Sequence, residues 1–159
     1  MAVTPWSDKY AIQAILRTDP YLTEELGFDP KEMYLVRATD DILLGTGKDK
    51  NRLRQQIFIY NTTPEPTINP LIHGIVYEVD VSVPSDNNGT ADLAIEQILA
   101  LLQDREISNT HKLEILDMPT ILSSENSLYQ VGVRFVIYET RCNQIRTVTK
   151  IENDESEED

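Results

Sequence analysis

Apolar positions along the chain change period several times, and the changes mark out its elements. Ala11, Ile12, Ile15 and Leu16 recur at helical spacing behind Thr4, a capping residue, and Pro5, which suits a first helical position. Asp19-Pro20 repeats the cap-then-proline signal and predicts a short second helix, closed by Gly27. The next stretch is less periodic. Residues 32–38 are compatible with a strand, residues 45–54 (GTGKDKNRLR) read as an exposed mobile loop, and residues 57–60 as a short strand. Residues 61–70 hold Pro64, Pro66 and Pro70 and read as irregular, because proline cannot donate to a ladder.

The second half is clearer. Ile75, Tyr77, Val79, Val81 and Val83 alternate with Val76, Glu78, Asp80 and Ser82, the pattern of a long strand buried on one side. A turn cluster, PSDNNG, follows. Thr90 then caps a helix whose wide apolar face comprises Ala91, Ala94, Ile95, Ile98, Leu99, Leu101 and Leu102. Residues 113–122 read as a strand interrupted near Pro119, and residues 129–139 alternate again through Val131, Val133, Phe135 and Ile137. The short turn between these two strands predicts a hairpin. The sum is an α+β fold, a mostly antiparallel sheet with helices packed on one face. Residues 1–151 form its single domain.

Charge adds a tail to this picture. Of 159 residues, 27 are acidic and 14 basic. Six of the acids fall in residues 152–159, a segment with nothing apolar to bury, which is expected to be disordered. The remaining 21 acids still outnumber the 14 bases, which argues against a protein that grips nucleic acid through its phosphates. One cysteine, Cys142, excludes an internal disulfide and a cysteine-based zinc site. No apolar run approaches the ~20 residues of a membrane span, and the first residues lack a signal-peptide core, so the chain reads as cytosolic and soluble.

Candidate chemistry is sparse. Gly45-Thr46-Gly47-Lys48 suggests a phosphate loop, but Ile42 stands where the first glycine belongs and Asp49 where a hydroxyl should follow the lysine. His73 and His111 are too few and too far apart for a histidine metal cage. Glu78 and Asp80, two apart on a strand, share a face, where they meet water or a cross-strand partner such as Arg134. A two-metal nuclease could use such carboxylates, but it would also need a basic rim toward DNA. No catalytic, cofactor or metal site is therefore assigned, and the chain reads as a non-enzyme.

The block Ile15-Leu16-Arg17-Thr18-Asp19-Pro20-Tyr21-Leu22-Thr23-Glu24-Glu25-Leu26-Gly27 resembles the opening of the bacteriophage tail completion family, the tail-to-head joining or tail terminator proteins. The later unit of alternating strand, polar turn, amphipathic helix and closing hairpin is similar to theirs as well. The resemblance implies a structural role: a homo-oligomeric ring, typically six-fold, that caps the tail tube and stops its growth. It implies the tube protein and a head-completion or neck protein as partners, with genomic DNA passing through the channel without sequence-specific binding. It places the chain in the virion, at the top of the tail, assembled in the host cytoplasm. The family carries no catalytic residues to transfer, and the resemblance brings no cofactor.

A ring needs a heterologous interface, one surface meeting a different one on the next copy. The candidates are the strand at Ile57, Ile59 and Tyr60, by strand addition, and the loop after it with Thr63 and Pro66. The basic loop, with Lys48, Lys50, Arg52 and Arg54, is the candidate for reaching a neighbouring ring. The alternatives are another head–tail connector subunit, or a small ligand-binding α+β module.

Overall fold

The longest apolar alternations become the centre of the sheet. In the computed structural model, which describes residues 5–49, 53–64, 72–108, 111–124 and 127–140, β3 (Ile72–Pro84) runs antiparallel to β7 (Leu128–Thr140) over the full 13 residues of each. β2 (Gln56–Asn61) pairs with the free side of β3, and β6 (Glu114–Ser123) with the free side of β7. A two-residue strand, β1 (Met33–Tyr34), adds a parallel contact to β2, giving the order β1-β2-β3-β7-β6. The architecture is α+β with a mostly antiparallel sheet.

One face of this sheet carries the two long helices. α1 (Pro5–Arg17) buries Ile12 and Leu16, and α3 (Asn88–Leu102) buries Ala91, Ala94, Ile95, Ile98 and Leu102. They close over Ile57, Ile59, Tyr77, Val79, Val81 and Val83 and over the Val131, Val133, Phe135 and Ile137 row of β7. Each large aliphatic side chain withdrawn from water contributes about 1.5–3 kcal/mol. Polar ties then fix the angle of α1. Gln13 Nε2 and Arg17 Nη2 donate to the Met33 carbonyl at 2.8 and 3.1 Å, and the Tyr77 hydroxyl donates to Asp8 Oδ2 at 2.7 Å.

Asp19 does two jobs at the next turn. It accepts from the Leu22 N–H at 3.0 Å, opening a π-helical turn (Tyr21–Glu25), and both its oxygens accept from Gln97 Nε2 of α3 at 3.2 Å. Gly27 follows at φ +80°, the left-handed conformation that ends such a turn.

Several expectations change. Only Met33 and Tyr34 of residues 32–38 pair as a strand, because the chain bends away from β2 immediately afterwards. α3 starts at Asn88, so Thr90 lies inside its first turn rather than capping it. A small antiparallel pair, β4 (Glu106–Ser108) and β5 (His111–Lys112), links α3 to β6; its strands are too short to carry a periodic signal. The pairing of β6 slips between Asp117 and Thr120, where Pro119 sits on the outermost strand. The Thr4 cap and the acidic tail lie outside the described residues.

The opposite face was expected to be wet, and half of it is covered. α2 (Asp40–Leu44), capped by Thr39, lays Leu43 against Phe58, Tyr60 and Leu128 in a second apolar cluster. Tyr34 stacks on Phe58 with ring centres 5.5 Å apart.

Candidate functional site

Beside that second cluster, β3 carries its two carboxylates. Alternation puts Glu78 and Asp80 on the helix-poor face, and the register sets Tyr60 of β2 opposite Glu78 and Gly132 of β7 opposite Asp80. The expected partner, Arg134, also lies opposite Glu78, but it forms an ion pair with Asp117 of β6. Asp80 is buried instead of hydrated, at 4% exposure. The Tyr60 hydroxyl sits between the acids, hydrogen-bonded to Glu78 Oε2 and, at 2.5 Å, to Asp80 Oδ2. The Arg37 guanidinium lies over the Tyr60 ring, 5.1 Å from its centre.

Gly132 makes this packing possible. A Cβ on it would collide with Asp80 Oδ1 and stand 2.9 Å from Leu122 Cδ1. Asp80 Oδ1 is thus turned toward the Gly132 backbone, and among the described residues it has no hydrogen-bond donor against it.

A carboxyl buried beside a second acid resists ionising. Burial pushes the Asp80 carboxyl up to about 8, its hydrogen bond with Glu78 adds to the rise, and the Tyr60 hydroxyl and Arg37 oppose it. Burial likewise raises the Tyr60 hydroxyl, with Asp80 and Glu78 contributing. At neutral pH Asp80 is therefore held mostly protonated.

The pair adjoins an open cleft of about 510 Å³, lined by Glu78, Asp117, Met118, Thr120, Leu122, Gly132 and Arg134. Its β6 wall is unusually apolar for a surface: Met118 is 72% exposed and Leu122 45%, with Ile121 at 66% next to them. The sequence carries no signal for this cleft. Met118 and Leu122 look like ordinary strand residues, and only their place on the outermost strand leaves them exposed.

The predicted contact residues scatter. Ile57 and Ile59 are fully buried under the helices, so any contact through β2 has to use its backbone rather than those side chains. β1 covers β2 only at Ile57 and Phe58. Tyr60 is engaged with the two acids and almost buried. Thr63 is exposed just past the strand. Lys48 is exposed, in a 3₁₀ turn after α2. Arg54 is not a free docking charge: it pairs with Glu32 Oε1 at 3.2 Å and donates to the Ile42 carbonyl at 3.0 Å, tying the loop's end to α2. Lys50, Arg52 and Pro66 lie outside the described residues. Also among the described residues, no three His, Cys, Asp or Glu side chains gather in a way that could hold a metal ion.

A mostly antiparallel sheet with its two long helices on one face is an α+β arrangement, and a solved structure shares it. A chain in the virion of a native gene transfer agent particle superposes on 82% of this chain and 92% of its own, with a TM-score of 0.51 and 13% sequence identity. At that identity the likeness is one of fold. No protein-family model and no curated protein matches the sequence.

Proposed function

We propose that the chain is a structural subunit of a phage-like virion, whose copies close into a ring, six-fold in the family it resembles, that terminates the tail tube and joins it to the head. The observation that carries this reading is the fold shared with a virion chain along nearly all of that chain's length. The block from Ile15 to Gly27 supports it: within it, Asp19 and Gly27 open and close the π-helical turn under α3. In this reading the tube protein meets one side of the ring and a neck protein the other, while genomic DNA slides through a channel that does not bind it. The ring belongs to the virion, at the top of the tail.

The Glu78–Asp80 pair fits a binding role better than an acid–base enzyme. Tyr60 and the sheet shield Asp80 from any reacting atom, and only Glu78 of the two opens onto the cleft. Electron microscopy of the purified full-length chain tests the ring. Annular particles are expected; solitary subunits at every concentration, alone and with tube protein, would contradict it.

A further inference from the structure

The cleft and the basic loop lie on the same face of the sheet, toward opposite edges. The loop's flanks, Leu44 and Leu53, pack against the Phe58–Tyr60–Leu128 cluster on the β2 side, and the cleft opens between β3, β7 and β6. Copies arranged head to tail in a ring therefore bring the loop of one toward the cleft of the next. We propose that the cleft of each copy receives Lys48 of its neighbour, the lysine stem lying along Met118 and Leu122 and the ammonium meeting Glu78 over the Gly132 floor. The proposal rests on the ring reading and names the contact that would close it.

Three features point to a cationic occupant with an apolar stem. The cleft's acids exceed its bases: Arg134 is taken up by Asp117, leaving Glu78, with Asp80 behind it, uncompensated by any cation in the lining. Asp80 Oδ1, buried and without a donor among the described residues, is turned to the floor where Gly132 leaves no side chain. The rim is apolar, as the methylene stem of a lysine needs when its charged head is held at depth. On this acidic chain, Lys48 stands exposed in the segment where basic residues concentrate. Strand addition at β6 is a poor alternative, since Pro119 and three breaks in register guard that edge against backbone pairing.

The contact carries a pH signature. The groups facing Asp80 are Tyr60 from β2, Glu78 from β3 and Arg37 from the segment before α2, with Asp117 of β6 and Arg134 of β7 lining the adjoining cleft. An ammonium arriving among them favours ionised Asp80, so docking releases the Asp80 proton and tightens as pH rises from 6 to 9.

Sedimentation of mixed variants tests this. One full-length variant, Lys48→Glu, keeps its cleft and loses the inserted charge. The other, Glu78→Gln with Asp80→Asn, keeps Lys48 and loses the acidic floor with little change of shape. Each alone should stay monomeric at concentrations where the wild type forms rings. An equimolar mixture should form dimers and stop there, because each pair retains one good interface. Wild-type rings with both variants assembling equally well would overturn the Lys48 contact and leave the ring standing. A wild type that never assembles would overturn both. Thermal melts of each variant no lower than that of the wild-type monomer establish that lost assembly is not lost folding.

Discussion

Gly132 and Asp80 show how one position dictates its neighbour across a sheet. Asp80 can be buried only because nothing projects from Gly132 toward its Oδ1. Gly132→Ala forces either Asp80 or Leu122 to move, and overpacking of this kind costs about 1–3 kcal/mol; a lowered melting temperature in the otherwise folded monomer would show it, and an unchanged one would count against this packing. The same burial makes stability depend on pH. Folded Asp80 keeps its proton up to about 8, whereas the unfolded chain gives it up near 3.8. The folded state therefore binds the extra proton between those values, and this group's contribution is full below the lower one and is lost as pH rises through the upper one. Chemical denaturation from pH 4 to 9 should reveal that decline, and Asp80→Asn, which mimics the protonated acid, should flatten it. A decline of the same size in the variant would assign the effect to other groups.

At the scale of elements, legibility followed periodicity. α3, β3 and β7 each present a full apolar row, and their placement follows from the sequence almost residue by residue. β1 was over-read because its pairing is only two residues long and depends on where α1 holds the Met33 carbonyl. The face bearing Glu78 and Asp80 was misjudged for a related reason. Alternation along β3 marks these residues as polar, but whether a polar face meets water depends on β2 and α2, which reach it from elsewhere in the chain. The basic loop divides in the same way. Arg54 reads like Lys48 in sequence, yet its two partners, Glu32 and the Ile42 carbonyl, make it a structural clamp. Arg54→Ser should cost about 1–3 kcal/mol, the scale for removing hydrogen bonds to a charged group, whereas Lys48→Ser should leave the monomer's melting temperature within measurement error. Equal effects of the two would refute that division.

For the molecule as a whole, the sheet has two unlike faces. One is sealed by α1 and α3 around the main core; the other is half covered and ends in an acidic, apolar-rimmed cleft toward β6. Different surfaces at opposite edges are what head-to-tail closure requires, since a two-fold dimer would use the same patch twice. The acidic balance of the chain, 27 acids against 14 bases, also suits a channel wall that must not hold DNA. In the strand proposed for contact, Ile57 and Ile59 point into the core, so strand addition there uses its backbone.

The most direct measurement is electron microscopy of the purified protein mixed with polymerising tail tubes. The account predicts closed annuli of identical subunits, free in solution and seated on tube ends, with tube growth arrested. Tubes that lengthen unchanged beside single, unassociated subunits would contradict it.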